Sequence, residues 1–280
     1  MSRGRAWWAR AAGCIAGLAL VACSAADDGG GDVGDGGDVG RDGTRNSRGM
    51  SSETAVGGTV TVLAAASLTE AFEEVGDRLA DEYPDLEVTF SFGPSSGLAE
   101  QVIAGAPADV LATADVATMQ KVVDSGEATG EPAVFATNTL TLVVPPGNPG
   151  EVTELRDLGR DDLRVAICEP RVPCGAAAEK LLSAAGVHAA PDTLTTDVKE
   201  ALALVTLGEA DAALVYGSDV TAAGNQVEPV PFENVDPVVN EYPIALLRGA
   251  PNPDGARIVM DAITGEIGRS ALAAAGFAAP

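Results

Sequence analysis

Four stretches and one tyrosine in this chain combine the residue types and neighbours needed to present free hydrogen-bond donors at strand ends: those around Ser67, Ser95-Ser96, Pro173-Cys174-Gly175 and Asp197-Val198, with Tyr216. The pattern is clearest at Ser67. Val60–Ala65 is a short apolar run that suits a buried strand, and Leu68, Phe72, Val75 and Leu79 follow at the spacing of one helix face. Ser67 stands between them, three residues before Glu70, which is the pattern of a capping box. A strand that turns through a small polar residue into a helix leaves the first helical N–H groups unpaired at the sheet edge. Such a place accepts an anion without needing a cationic side chain.

The arrangement recurs three times. In Phe92-Gly93-Pro94-Ser95-Ser96-Gly97-Leu98 either serine can cap a helix, which leaves the other to donate outward. In Pro170-Arg171-Val172-Pro173-Cys174-Gly175, Pro173 suits a first helical turn and leaves the following amides unobstructed. In Thr195-Thr196-Asp197-Val198-Lys199-Glu200, Asp197 and Glu200 have capping-box spacing, so Asp197 is either a plain cap or the edge of a site. Tyr216 ends an apolar strand just before Gly217, and its hydroxyl needs a partner whether it sits in core or cleft. Together these groups are N–H and O–H donors, suited to a ligand that only accepts.

Other chemistries find little support. The single histidine, His188, lies before Ala189-Ala190-Pro191 in an expected loop, outside every motif, so a serine nucleophile would lack its base. There is no Cys-x-x-Cys, and Cys168 and Cys174 lack the His or third Cys of a zinc site. The net charge is −24 with no basic cluster, which argues against nucleic acid. The same acidity offers an anion no long-range attraction, so local donors must overcome it at close range.

The elements that must position these donors read as α/β. Strand-like runs are Val60–Ala65, Leu86–Phe92, Val110–Ala114, Leu140–Val144, Leu163–Ile167, Ala212–Val215 and Ile244–Leu247. Helical patterns cover Leu68–Glu82, Leu98–Ala104, Val116–Ser125, Gly175–Ala185, Val198–Leu207 and much of Asp254–Ala274. This alternation implies mostly parallel sheet flanked by helices. Proline-rich punctuation at 145–150 and an irregular span at 229–239 bracket one lobe's worth of chain. The expected division is a first lobe from 58–138, a second from 139–238, and a return segment at 239–280 whose helices pack on the first lobe or the hinge.

Residues 1–22 read as a secretory signal: Arg3, Arg5 and Arg10 precede an apolar stretch too short to span a membrane. Its ending, Leu20-Val21-Ala22-Cys23, resembles a bacterial lipobox, with Cys23 lipidated and first in the mature chain. The Gly- and Asp-rich stretch that follows, to 57, has the composition of a flexible tether.

The ordered set of motifs resembles the molybdate-binding proteins of bacterial ATP-driven importers. The likeness runs through Val62–Thr69, Phe92–Ala99, Gly105–Val110, Pro170–Gly175, Asp197–Val205, Val215–Asp219 and Glu241-Tyr242-Pro243. It implies a periplasmic-binding-protein-like type II fold, with two lobes closing on molybdate or tungstate. It further implies delivery to a membrane permease and its ATPase, no catalysis, no cofactor and no nucleic acid. Carried over position by position, the anion contacts are Ser67, Ser95, the Cys174 and Val198 amides, and the Tyr216 hydroxyl. Glu70 departs from the pattern, because a carboxylate bonded back to the Ser67 amide would compete with the anion.

Three further expectations follow. The protein is a monomer held by lipid at the extracytoplasmic side of the cell membrane. Cys168 and Cys174, apart from Cys23 the only cysteines of the exported chain, pair as a disulfide in oxidising surroundings, with two free thiols as the alternative. The nearest competing function is a carrier of the same fold for sulfate or phosphate.

Overall fold

The computed structural model describes residues 56–232 and 237–280. The leader, Cys23 and nearly all of the tether lie outside the described residues, so the readings made on them are not addressed by the fold. Nine strands and eight α-helices are formed among the described residues.

The first group of strands is β1 (Gly58–Ala65), β2 (Leu86–Gly93) and β3 (Val110–Ala112), all parallel. Helix α1 (Thr69–Glu82) connects β1 to β2, and α2 (Ser95–Ile103) connects β2 to β3. Phe72, Val75 and Leu79 of α1 are fully buried, as their spacing requires. Removing the Phe72 ring would cost roughly 3–5 kcal/mol in a packed core. Helix α3 (Val116–Ser125) then leads into β4 (Ala128–Val144).

The second group is β5 (Val165–Cys168), β6 (Thr193–Thr195) and β7 (Ala212–Tyr216), again parallel, with β5 central. Helix α4 (Pro173–Ala185) joins β5 to β6 and α5 (Val198–Thr206) joins β6 to β7. Helix α6 (Gly217–Ala223) and β8 (Glu228–Val230) follow, before the chain returns through β9 (Val239–Leu247) to α7 (Pro253–Thr264) and α8 (Glu266–Ala274).

Two long strands connect the groups, and both run antiparallel to their neighbours. β9 pairs with β3 and with residues 128–139 of β4, while residues 140–143 of β4 pair with β7. The sheet is therefore mixed: parallel within each group of three strands, antiparallel where they meet. The apolar cores follow the same division. One is built from residues between Leu140 and Val230, and the others from residues between Val60 and Ala136 together with Tyr242 to Phe277.

Several boundaries differ from the sequence expectation. β4 begins twelve residues before the predicted Leu140, and its early part carries Gly130, Glu131 and Pro132 on a largely exposed stretch with register shifts. β6 and β8 have only three residues each, and α6 opens on Gly-Ser-Asp; none was anticipated. Short or partly exposed elements lack the apolar run by which strands are read.

Candidate anion-binding site

The strand ends and helix starts converge on one small cavity. Its wall is made of four tripeptides and two further residues: Ala65-Ala66-Ser67, Gly93-Pro94-Ser95, Val172-Pro173-Cys174 and Thr196-Asp197-Val198, with Ala114 and Tyr216. All five residues singled out from the sequence line it. Its volume is about 20 Å³, counted over positions open to the centre of a water-sized sphere. That suits a compact ligand of a few heavy atoms, and it excludes a sugar or peptide unless the walls part.

The first wall is not capped as expected. Ser67 lies in a 3-10 turn, Ala66–Leu68, one step before α1 begins, and neither this turn nor α1 has a side-chain cap. Glu70 points away from the Ser67 amide, and its carboxylate meets Lys199 Nζ at 2.6 Å. The anticipated competition between Glu70 and an anion is therefore relieved by a partner 129 residues away. The buried Ser67 hydroxyl instead lies 3.0 Å from Tyr242 Oη.

At the second wall neither serine caps. Pro94 occupies the cap position, so Ser95 falls in the first turn of α2, where its Oγ accepts a hydrogen bond from the Ala114 amide at 3.0 Å. The Ser95 proton is left free to donate. Ser96 Oγ is buried with no partner among the described residues.

At the third wall Pro173 opens α4, and Ala176 is the first residue of that turn to bond back, to Val172 O at 2.9 Å. The Cys174 amide has no backbone partner among the described residues. Cys174 is disulfide-bonded to Cys168 at the end of β5, which ties the helix start to the strand before it. Gly175 permits the approach: a Cβ there would stand 1.9 Å from Glu169 O.

At the fourth wall Asp197 caps α5, with Oδ1 accepting from the Glu200 amide at 2.9 Å. Glu200 returns to the Thr196 amide at 2.8 Å, one residue earlier than a strict capping box requires. The Asp197 carboxylate is thus engaged in the helix cap, and the Val198 amide is left without a partner among the described residues.

Tyr216 closes the site. It is fully buried, and its Oη accepts from Asn240 Nδ2 at 2.8 Å. Burial pushes its hydroxyl well above the ordinary tyrosine range, with Tyr242 and the Asp219 carboxylate adding to the effect, so it stays a neutral donor. Burial raises Tyr242 in the same direction. Among the described residues no lysine or arginine lines the cavity. Lys199, one residue after Val198, faces Glu70 and, at 3.4 Å, the buried Asp219.

Sequence reasoning missed Ala114, Lys199, Asn240 and Tyr242 as contributors. One signal was available: Asn240 and Tyr242 alternate on a strand leading into an apolar run, and such a pair occupies one face.

A cavity lined by donors at the ends of strands, enclosed by α/β elements and lacking a nucleophile–base pair, is that of a solute-binding protein. Residues 60–278 match the family described as bacterial extracellular solute-binding protein, a transport family and not a catalytic one. The chain is 40% identical over 222 residues to the molybdate-binding protein ModA of Mycobacterium tuberculosis (strain ATCC 25618 / H37Rv), covering 79% of this chain and 85% of that protein. It is 34% identical over 212 residues to ModA of Escherichia coli (strain K12), covering 70% and 79%. The chain belongs to the ModA family of molybdate-binding proteins. The periplasmic molybdate-binding protein of Azotobacter vinelandii shares the fold, with a TM-score of 0.66 at 21% identity over 79% of this chain and 99% of that one. So does the sulfate-binding protein SubI of Mycobacterium tuberculosis H37Rv, with a TM-score of 0.70 at 18% identity over 78% and 86%.

Proposed function

We propose that this protein captures molybdate or tungstate outside the cytoplasmic membrane and hands it to a membrane permease driven by an ATPase. The observation that carries the reading is the convergence of four helix starts and Tyr216 on a cavity that, among the described residues, has no cationic side chain. The anion is held by the Ser67, Ser95 and Tyr216 hydroxyls and by the Cys174 and Val198 amides. A fully ionised tetrahedral dianion brings four acceptor oxygens and no proton, which matches donors alone. Phosphate near neutral pH carries a proton and calls for an acceptor. Sulfate has the same charge but is smaller, and donors held apart by four helix starts grip it less well.

In this reading the chain between 139 and 238 is the second lobe, and residues 58–138 with 239–280 form the first. β4 and β9 cross between them. The separation of the apolar cores near Leu140 supports that division. Lipid on Cys23 tethers the folded body to the membrane, with the Gly- and Asp-rich segment as the leash. The ligand is the oxyanion itself, with no cofactor beside it.

Titration of the purified body with molybdate, tungstate, sulfate and phosphate tests the reading. Molybdate and tungstate are expected to bind at one site per chain, with sulfate and phosphate much weaker. Preference for sulfate or phosphate would replace the proposal with the competing one.

A further inference from the structure

The three hydroxyls that face the cavity are each backed by a second group, and together these groups determine which way the hydroxyl protons point. A hydroxyl has one proton and two acceptor positions, so it donates into the cavity only if what stands behind it does not take the proton. Behind Ser95 stands the Ala114 N–H, which can only donate. Behind Tyr216 stands Asn240 Nδ2, 2.8 Å from its Oη. The same nitrogen lies 3.0 Å from the Ala114 carbonyl oxygen. That carbonyl fixes the amide's orientation: a flipped Asn240 would set its own oxygen against another acceptor. Asn240 therefore donates to Tyr216, and the phenolic proton is released toward the cavity. The relay runs from Asn240 to Tyr216 on one side and from Asn240 through the Ala114 peptide to Ser95 on the other.

Ser67 is backed by Tyr242, at 3.0 Å. By geometry alone either oxygen can be the donor. Ser67 has a single proton, so once that proton is given to a bound anion the contact persists as a hydrogen bond only if Tyr242 donates. Tyr242 is completely buried, and its proton needs an acceptor; Asn138 and Tyr216 also lie beside its hydroxyl, but the 3.0 Å contact to Ser67 is the one with hydrogen-bond geometry. Asn240 and Tyr242 sit two residues apart on β9, which places both on one face of the strand.

We propose that Asn240 and Tyr242 are positioning residues that polarise the site, holding the Ser67, Ser95 and Tyr216 hydroxyls as donors and so selecting oxyanions that carry no proton. The inference rests on the oxyanion reading above. A protonated oxyanion such as hydrogenphosphate must find an acceptor in the cavity, and a hydroxyl can turn to supply one only by breaking the bond behind it.

Calorimetric double-mutant cycles test this, with molybdate and inorganic phosphate as the probes. Tyr242→Phe is expected to lower molybdate affinity about three- to tenfold in the native background, the equivalent of one hydrogen bond. In a Ser67→Ala background it should change the affinity less than twofold. The ratio of phosphate to molybdate affinity should rise at least about threefold in Tyr242→Phe alone, because Ser67 is then free to accept. Asn240→Ala measured with and without Tyr216→Phe repeats the cycle at the other hydroxyl, and carries the test if Tyr242→Phe does not fold. Equal losses in both backgrounds with an unchanged phosphate ratio would reduce these residues to packing and overturn the inference while leaving the molybdate reading intact. Absence of molybdate binding by the native protein would overturn both.

Discussion

Lys199 Nζ, on α5, lies 2.6 Å from Glu70 Oε1, on α1, although the two residues belong to different halves of the proposed lobe division. Each follows closely on a wall of the cavity: Glu70 three residues after Ser67, and Lys199 one residue after Val198. The pair thus bridges the two sides of the cavity, and it forms only when they are close. Asp219 Oδ1, 3.4 Å from the same nitrogen and on the same half as Lys199, is the partner that remains if the halves separate.

The first prediction concerns this pair. An exposed ion pair contributes roughly 0.2–1 kcal/mol, so Glu70→Gln and Lys199→Met should each weaken anion affinity by up to about fivefold at low salt, and less at high salt. The signs separate a bridge from a simple field effect. If only the local field mattered, Glu70→Gln would strengthen anion binding by removing a negative charge, while Lys199→Met would weaken it. Titration of both variants at two salt concentrations decides between them.

Reducing the disulfide should loosen the third wall of the cavity. Cys168 and Cys174 close a loop with a sequence separation of 6, and a loop this short contributes roughly 2 kcal/mol to stability in the chain-entropy account. The bond also holds the turn that presents the Cys174 amide. Mild reduction is expected to weaken molybdate binding while circular dichroism in the far ultraviolet stays nearly constant. Unchanged affinity after verified reduction would show that the helix start holds its position without the bridge.

Asp219 supplies a pH signature. Its carboxyl is pushed up to about 6, from 3.8, because burial outweighs the attraction of Lys199 and the hydrogen bond from the Tyr216 amide. The folded state therefore binds this proton more tightly than the unfolded chain. The resulting stabilisation is fully present below pH 3.8 and is lost as pH rises through about 6. The difference is on the order of 2–3 kcal/mol across that window. Asp219→Asn should flatten the stability curve relative to the native protein between those values, as measured by urea unfolding at a series of pH values. Parallel curves would place the carboxyl in its ordinary range.

What the sequence made legible was whatever depended on neighbours in the chain. Val60–Ala65 running into Leu68, Phe72, Val75 and Leu79 is a local pattern, and it appears as β1 and α1. The same holds for Pro173 opening α4 and Asp197 capping α5. The lining positions were legible because each stands where a strand gives way to a helix. Contacts between distant residues were not. Ser67 with Glu70 has the spacing of a capping box, yet Glu70 is drawn to Lys199, and Ser67 finds Tyr242 across 175 residues. The early half of β4 was hidden because its pairing with β9, not an apolar run, makes it a strand.

The central claim is that neutral donors at helix starts, without a cationic side chain, hold a proton-free oxyanion in this cavity. Calorimetric titration of molybdate into the native body and into Ser67→Ala and Ser95→Ala tests it most directly, and it suits a folded body that lacks tryptophan. Each substitution removes one charge-assisted hydrogen bond worth about 1.5–3 kcal/mol, so each variant should bind molybdate roughly ten- to a hundredfold more weakly at unchanged stoichiometry. Native affinity in both variants would take these hydroxyls out of the site and contradict the account.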